Sequence, residues 1–273
     1  MVQCCIMPIR CDYHLHTPLC KHAAGPMEAY VERGIELGLE EIGFADHNPL
    51  PDGRSSNVRM DEGELDYYVD RVTELRFRYR GKIDVMLGLE IDYVDGLEDY
   101  VAKQLAAYPW DYIIGSIHFL DNACREPSWP RRYAGDPHQL YARYFELMRR
   151  LARSGFCDII AHFDVVKRSG HLPGEHEADD VAETLQVIRA AGLSLEINTS
   201  GYRHAELPEP QPYPMLSTVK QVLALDIPLT VNSDAHAPEQ VGTQFATIEQ
   251  FLKRNGCSQL AKFDGRKRAM YEL

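Results

Sequence analysis

Short apolar runs alternate with longer amphipathic segments along the chain. The apolar runs have the length and composition of buried strands, and they cover residues 9–15, 41–45, 83–91, 112–119, 158–163, 193–198 and 228–232. The segments between them have the spacing of helices with one apolar face, and they cover residues 26–39, 61–80, 97–108, 137–154, 177–191, 215–225 and 238–255. Boundary signals support several segments, such as Asp61 with Glu64 at the start of one and Gly155 at the end of another. The pattern predicts seven strands, each followed by a helix.

A strand followed by a helix, repeated seven times, predicts a parallel sheet with helices packed outside it. An open doubly wound sheet and a closed barrel both have this pattern. The first strand–helix loop contains no GxGxxG sequence, and the length of 273 residues is near the ~250 residues of a TIM barrel. We therefore expect an α/β fold, a TIM-like (β/α)7 barrel with seven strands rather than eight. No linker interrupts the pattern, so we expect a single domain over residues 1–273.

Charge and composition narrow the classes of partner. The chain has 29 Lys and Arg residues against 41 Asp and Glu residues, which gives a formal net charge of −12. Such a surface repels phosphate backbones, so we expect no nucleic-acid partner, whereas a small anionic substrate stays possible beside bound metal ions. The seven Cys residues include no CxxC pair, no apolar stretch reaches the ~18–20 residues that cross a bilayer, and the N-terminus lacks a secretory pattern. We expect a soluble cytoplasmic protein with free thiols and no membrane partner.

Histidine and carboxylate side chains concentrate where the predicted strands end. In parallel α/β folds the chemistry gathers at the carboxyl ends of the strands. Six of the seven runs end in His, Asp or Glu, within the sequences DYHLH, ADHN, GLEID, SIH, AHFD and NSDAH, and His22 follows the first of these. A single His at a strand end is more often a hydrogen-bonded polar cap than a metal ligand. Crowded together, however, unpaired imidazoles and carboxylates leave buried polar groups unsatisfied, and a divalent cation resolves this.

The donor types narrow the choice of metal. His14 and His16 alternate along one strand, so both rings lie on the same face and can bind one ion. Imidazole and carboxylate donors without thiolate fit Zn²⁺, Fe²⁺ or Mn²⁺. The candidate donors exceed the needs of one four-coordinate ion, and with a bridging carboxylate they suit two or three ions. These donors are His14, His16, His22, His47, Glu90, His118, His162, Asp234 and His236.

The same motifs, in the same order, resemble those of the PHP (polymerase and histidinol phosphatase) family, and in particular its stand-alone histidinol-phosphate phosphatases. The resemblance covers about residues 12 to 237 and rests on DYHLH, His22, ADHN, GLE, SIH, AHFD and NSDAH. HxH alone is a weak signal, whereas the complete ordered set is highly specific. The resemblance implies a distorted seven-stranded barrel, in agreement with the strand count, and a metal-dependent phosphomonoesterase.

The resemblance also implies how the donors divide among three divalent ions. His14, His16, Glu90 and Asp234 would hold the first, Glu90 would bridge to a second ion bound by His118 and His162, and His22, His47 and His236 would hold the third. Glu90, Asp234 and His236 are also the residues implied in catalysis. Arg168 and Arg203 lie in HFDVVKR and NTSGYR, which resemble family segments that contact phosphate. Guanidinium suits phosphate because its planar fork donates paired, charge-assisted hydrogen bonds.

The implied reaction hydrolyses L-histidinol phosphate to L-histidinol and phosphate, a step of histidine biosynthesis. Clustered cations lower the pKa of a bound water from ~15.7 towards ~7, so that hydroxide can attack, while the arginines hold the phosphate oxygens in line. The proton donor to the leaving group stays open between a metal-bound water, a histidine and an acid such as Asp121. Candidates for binding the ammonium and imidazole of the substrate are Glu196, Tyr202 and the loop that contains Trp129.

Other polar residues near the predicted strand ends suggest supporting roles. Asp12, Asp46 and Asp164 flank candidate ligands, and each fits either a role in orienting an imidazole or a plain capping role. His204, beside Arg203, could reach the substrate, and Lys167 is a less suitable phosphate contact than its arginine neighbour. The remaining histidines are expected to be solvated, namely His138, His171 and His176.

Three other functions share part of this signature. A related phosphoesterase could act on nucleotides, other phosphorylated metabolites or a DNA 3′ end, and the negative charge disfavours the last. An amidohydrolase shares the HxH motif and the late Asp, but it usually has a lysine at the end of the fourth strand, where this chain has Ser116 and His118. A metal-dependent regulatory protein is the third. The sequence leaves the metal identity and the oligomeric state open.

Overall fold

Seven parallel strands form a nearly closed barrel in the computed structural model, which describes residues 9–122, 136–204 and 209–273. The strands are β1 (Cys11–Leu15), β2 (Glu41–Phe44), β3 (Asp84–Asp92), β4 (Tyr112–Ser116), β5 (Ile159–Ile160), β6 (Ser194–Asn198) and β7 (Leu229–Asn232). Each strand pairs in parallel with the next one along the chain. The prediction of a seven-stranded α/β barrel is confirmed.

Among the residues that the structure describes, backbone hydrogen bonds join the first and last strands of the barrel near their carboxyl ends alone. His16 N donates to Ala235 O at 2.9 Å, and Ala235 N donates to His14 O at 3.1 Å. No other β1–β7 bridge is found among the described residues. The connection therefore lies at the end of the barrel where the candidate metal ligands emerge.

Helices follow the strands along the chain. They are α1 (Met27–Leu37), α2 (Leu65–Arg78), α3 (Glu98–Ala107), α4 (Pro137–Ser154), α5 (Ala178–Ala190), α6 (Leu216–Ala224) and α7 (Phe245–Arg254). The predicted capping box before α2 is present, with Asp61 N donating to Glu64 Oε2 at 2.8 Å. The predicted helix over 238–255 is wrong in its first part. The chain forms a short 3-10 turn there and reverses at Gly242, whose N–H donates to Asp12 Oδ2 at 3.1 Å, so α7 begins only at Phe245.

The barrel interior is filled by a tyrosine that crosses it beneath the candidate site. The Tyr112 hydroxyl donates to Tyr13 O at 2.6 Å, and its side chain lies against Gly43 on β2 and Gly88 on β3. A Cβ atom at Gly43 would overlap the Tyr112 hydroxyl, and one at Gly88 would overlap its ring. Glycine is therefore needed at both positions because a Cβ atom would collide with Tyr112, and not because the backbone adopts a conformation that only glycine allows.

A C-terminal hairpin covers the opposite, amino-terminal end of the barrel. Its strands are β8 (Gln259–Asp264) and β9 (Lys267–Glu272), which pair antiparallel. Lys262 Nζ contacts Glu41 Oε1 at 2.9 Å, and Arg266 N donates to Asp111 O at 2.7 Å. The sequence analysis missed this hairpin, although Asp264-Gly265 between two alternating segments is a hairpin signal.

The helices give no sign of a membrane span. Within residues 9–122, 136–204 and 209–273, none is both long enough and apolar enough to cross a bilayer.

Candidate metal centre

The candidate metal ligands meet at the carboxyl ends of the strands, although they come from distant parts of the chain. Four follow or end β1 and β2, one lies in β3, two follow β4 and β5, and two follow β7: His14, His16, His22, His47, Glu90, His118, His162, Asp234 and His236. Their side chains contact one another across the barrel mouth. The strand ends thus bring together all nine side chains that the sequence pointed to.

One group of donors surrounds a single oxygen of Glu90. Glu90 Oε2 lies 3.5 Å from His14 Nε2 and 3.7 Å from His16 Nε2. Asp234 Oδ1 lies 3.1 Å from His16 Nε2 and 3.9 Å from His14 Nε2. These four side chains could hold one ion.

The other oxygen of Glu90 faces a second group. Glu90 Oε1 lies 3.1 Å from His162 Nε2 and 4.0 Å from His118 Nε2. Because the two oxygens of one carboxylate face different sets of imidazoles, Glu90 has the geometry of a bridging ligand between two ions.

A third group lies nearer the surface. His22 Nε2 and His236 Nε2 are 2.9 Å apart, and nitrogen atoms of His16, His47 and His236 lie within 4.8 Å of one another. His47 also approaches the first group, since its Nδ1 lies 2.7 Å from Glu90 Oε2. The thiol of the buried Cys20 lies within 4.8 Å of donor atoms of His22 and His236, a neighbour that the sequence analysis did not consider.

The chemistry of the buried donors fits a divalent cation. Within the part of the chain that the structure describes, His14 Nε2 and His47 Nδ1 lie 3.5 Å and 2.7 Å from Glu90 Oε2, but none of these three buried atoms makes a hydrogen bond of good geometry. Burial lowers the pKa of His14, but Glu196, Asp234 and Glu90 raise it well above its usual value, so the carboxylates favour positive charge around this ring, whereas burial lowers the pKa of His47 to about 4. Crowded buried donors without good hydrogen bonds, beside carboxylates that favour a cation, are what a bound metal would satisfy. The cluster is a site for divalent metal.

Buried carboxylates behind the cluster hold the imidazoles in place. Glu196 Oε2 lies 3.0 Å from His14 Nδ1, Asp46 Oδ1 lies 3.4 Å from His16 Nδ1, and Asp92 Oδ1 lies 2.8 Å from His118 Nδ1. Such contacts select the tautomer whose other nitrogen faces the metal. Sequence reasoning proposed this role for Asp46 but missed it for Asp92 and Glu196.

Two other acids that flank candidate ligands serve the backbone instead. Asp12 accepts from Ser233 N at 2.9 Å and from Gly242 N, so it fixes the turns after β7. Asp164 accepts from Met215 N at 2.9 Å and contacts Lys167 Nζ at 3.1 Å. These contacts orient no imidazole: Asp12 fixes backbone turns, and Asp164 binds a distant backbone N–H and Lys167 without capping its own helical turn.

A cavity of about 700 Å³ opens above the candidate ligands. Arg168, Arg203 and His204 line it, as the sequence predicted for residues near a substrate. Arg203 is held from behind, since its Nη2 donates to Ser233 O at 3.0 Å and to Asp234 O at 2.8 Å. Lys167 is buried and points elsewhere, with Nζ 2.6 Å from Pro212 O, which explains its unsuitability as a phosphate contact.

The proposed contacts to an ammonium or imidazole need correction. Glu196 is fully buried, and its oxygens accept from His14, Asn198, Asn232 and His162 N, so it is not available to a substrate. Tyr202 and Asp121 do not line the cavity, whereas Tyr213 and Gln240, which the sequence analysis missed, do.

Some sequence predictions fall outside this cavity or outside the described residues. His138 contacts Glu177 Oε1 at 2.5 Å on the surface, and His171 and His176 are exposed, as expected for solvated histidines. Trp129, Cys4, Cys5 and Cys124 lie outside the described residues. The described cysteines are free thiols, as predicted.

Comparison with known proteins agrees with this geometry. The model of the PHP domain family matches residues 12–200, a stretch that runs from β1 to the end of β6 and contains seven of the nine candidate ligands. The chain belongs to the PHP domain family. Within the family it is 37% identical over 253 residues to a probable histidinol-phosphatase of Deinococcus radiodurans, with 90% of this chain and 94% of that protein covered.

Two further relatives extend the comparison. The histidinol-phosphatase of Bacillus subtilis is 30% identical, with 89% of this chain and 98% of that protein covered. The structure of histidinol phosphate phosphatase from Lactococcus lactis, complexed with zinc, L-histidinol and phosphate, superposes with a TM-score of 0.80 at 18% identity, covering 96% of this chain and 99% of that one. At that identity the superposition shows that the two PHP proteins share their fold.

Proposed function

We propose that this chain is a metal-dependent histidinol-phosphatase, which hydrolyses L-histidinol phosphate to L-histidinol and inorganic phosphate. The observation that carries the proposal is the set of nine candidate metal-binding side chains beneath a cavity lined by three arginines, Arg59, Arg168 and Arg203. The relatives named histidinol-phosphatase, at 37% and 30% identity over most of the chain, support the substrate. The Lactococcus lactis protein holds zinc, L-histidinol and phosphate on the same fold.

The three groups of donors support a site for three ions. In this proposal His14, His16, Glu90 and Asp234 hold the first ion, and Glu90, His118 and His162 hold the second. His22, His47 and His236 hold the third. Zn²⁺, Fe²⁺ and Mn²⁺ all accept such imidazole and carboxylate donors.

The protein groups around the cavity position a phosphate monoester. When bound, divalent ions neutralise charge on phosphate oxygens and make water a nucleophile near neutral pH. Arg203 presents a guanidinium fixed by two backbone carbonyls, and Arg168 lies on the same cavity wall. Both would hold the phosphate oxygens through charge-assisted hydrogen bonds. His204 and Tyr213 line the part of the cavity that the rest of the substrate would occupy.

The alternatives fit the site less well. The cavity of about 700 Å³ has the size of a small-molecule site, and the net charge of −12 opposes a nucleic-acid substrate. An amidohydrolase-type site would need a lysine at the end of β4. There the Ser116 hydroxyl donates to Ile91 O at 2.9 Å, and Lys167 is committed elsewhere.

Phosphate release from a panel of substrates tests the proposal. The metal-loaded protein should hydrolyse L-histidinol phosphate at least ~10-fold faster, in kcat/KM, than nucleoside monophosphates or a generic aryl phosphate, which corresponds to ~1.4 kcal/mol of discrimination. Glu90→Gln should abolish hydrolysis with the fold retained, because it removes the proposed bridging ligand. Glu183→Gln, at an exposed position on α5, is the matched control and should behave as wild type. Equal rates on all substrates would overturn the substrate assignment, and an inert wild type would favour a regulatory protein.

A further inference from the structure

A buried arginine contacts two loops that carry candidate metal ligands. Arg59 is only 3% exposed, although it follows an irregular stretch of the chain. Its Nη2 donates to Asp92 Oδ2 at 2.8 Å, and its Nη1 donates to Asn48 O at 2.8 Å. Asn48 directly follows His47, and Asp92 contacts His118. One guanidinium thus joins the ends of β2 and β3 beside the candidate ligands, and it also forms part of the cavity wall.

Both oxygens of Asp92 are committed to protein donors. Oδ2 accepts from Arg59, and Oδ1 accepts from His118 N at 3.1 Å and lies 2.8 Å from His118 Nδ1. Asp92 lies within reach of His47 and His118 as a possible metal ligand, but these hydrogen bonds leave it no free oxygen for an ion. Asp92 is therefore suited to orienting His118 rather than to binding metal.

We infer that Arg59 is a positioning residue of the metal centre, which acts through Asp92 to fix the orientation and tautomer of His118. The inference rests on the proposed function only in that it takes His118 as a ligand of the second ion. With Nδ1–H donated to Asp92, the Nε2 lone pair of His118 faces Glu90 Oε1, 4.0 Å away. Nothing in the sequence motifs assigns a role to either Arg59 or Asp92.

The ion pair with Arg59 holds Asp92 in the orientation that this role requires. Asp92 is fully buried, with Arg59 Nη2 at 2.8 Å from its Oδ2 and His118 Nδ1 at 2.8 Å from its Oδ1. A buried carboxylate that loses its cationic partner is left with an uncompensated charge. Without Arg59 the Asp92 side chain would move, and His118 would lose the acceptor that orients it.

A neighbouring arginine provides a matched control. Arg54 is also 3% exposed, and its guanidinium also packs over Phe119, with its Cζ 5.5 Å from the ring centroid, the same distance as for Arg59. Its donors go to Asp52 and Asn122 instead, with Nη2 2.7 Å from Asn122 Oδ1. A change at Arg54 therefore disturbs similar packing and a similar buried charge without touching Asp92.

The test compares Arg59→Gln with Arg54→Gln in the full chain, stripped of metal by a chelator and titrated with Co²⁺. Absorption in the visible region reports each bound ion, and thermal unfolding of the apo-protein reports the fold. We expect Arg59→Gln to weaken the affinity for one ion ~10- to 100-fold, the size of effect seen when a partner of a metal-binding histidine is removed. Arg54→Gln should leave every affinity within about twofold of wild type. If Arg59→Gln does not fold, Arg59→Lys against Arg54→Lys gives the same comparison with the buried charge retained.

The metal affinities of these variants either support or overturn the positioning role of Arg59. Selective loss of one ion in the Arg59 variant supports it, and Asp92→Asn should reproduce that loss. Equal losses in the Arg59 and Arg54 variants would reduce Arg59 to a structural role, and unchanged affinities would overturn the inference outright. Wild-type protein that binds Co²⁺ but does not hydrolyse L-histidinol phosphate would contradict the proposed function alone. Wild-type protein that binds no ion would overturn both.

Discussion

Glu196 lies at the centre of the hydrogen bonds behind the metal-binding side chains. Its Oε2 is 3.0 Å from His14 Nδ1 and accepts from Asn232 Nδ2 at 2.9 Å, while Oε1 accepts from His162 N and Asn198 Nδ2, both at 2.8 Å. Burial raises its pKa, but His14 more than offsets this, so the pKa lies below its usual value. One ionised carboxylate therefore orients ligands that follow two different strands.

Glu196→Gln should weaken metal binding without unfolding the protein. The amide group has one acceptor oxygen where the carboxylate has two, so either His14 or the Asn198 and His162 donors lose a partner. We expect the affinity for the most tightly bound ion to fall ~10- to 100-fold, measured by competition with a chromophoric chelator. The control is Glu249→Gln on α7, which loses a contact to Lys253 and should match wild type. An unchanged affinity in Glu196→Gln would mean that this carboxylate does not support the ligands.

The sequence pointed to the candidate metal ligands, but it did not reveal most of the buried carboxylates that orient them. The ligands lie at or just past strand ends, where a parallel fold concentrates its chemistry, so strand position alone was enough to find them. Glu196 is two residues before the end of β6 and lies one layer deeper than the rim. Sequence spacing does not reveal that depth, and it led to the incorrect expectation that Glu196 contacts substrate.

At the scale of elements, the barrel depends on close packing between β2, β3 and β4. Tyr112 on β4 fills the interior, and the absence of a side chain at Gly43 and Gly88 makes room for it. Its hydroxyl also donates to Tyr13 O, which links β4 to β1 across the barrel. This packing holds in place the strand ends that carry the candidate metal ligands.

Gly43→Ala should destabilise the protein, and Tyr112→Phe should partly relieve the effect. A Cβ at Gly43 overlaps mainly the Tyr112 hydroxyl, whose removal leaves ring atom Cζ at 2.8 Å as the nearest contact. We expect Gly43→Ala alone to lower the free energy of unfolding by ~1–3 kcal/mol, measured by chemical denaturation. Gly88→Ala should cost at least as much without such relief, because there the overlap is with the ring itself. If Tyr112→Phe restored as much of the free energy of unfolding to Gly88→Ala as to Gly43→Ala, this description of the packing would be contradicted.

The boundaries of helices and strands were predicted correctly where the local sequence contains a strong signal. The predictions were wrong where contacts with distant residues determine the boundary. The capping box at Asp61 and Glu64 formed as predicted. The start of α7 did not, because the preceding turn is held by Asp12, a residue 230 positions away in the chain. The hairpin of β8 and β9 is likewise fixed by contacts to the amino ends of β2 and β4, which no local pattern shows.

At the scale of the whole molecule, the two ends of the barrel differ in structure and in proposed function. The hairpin covers the amino-terminal end, and the candidate metal centre occupies the carboxyl-terminal end, where β1 and β7 are joined. The family motifs predicted which side chains gather at that end. The division of Glu90 between two sets of imidazoles is visible only in the distances between these side chains, which the sequence does not give.

The positions of the bound ions decide whether Glu90 bridges two metal sites. In crystals of the zinc-loaded protein, anomalous scattering at the zinc edge should give three peaks at the carboxyl end of the barrel. Two of them should lie on opposite oxygens of Glu90, one towards His14 and His16 and the other towards His118 and His162, with the third beside His22 and His236. A single peak, or strong peaks that avoid Glu90, would contradict the account.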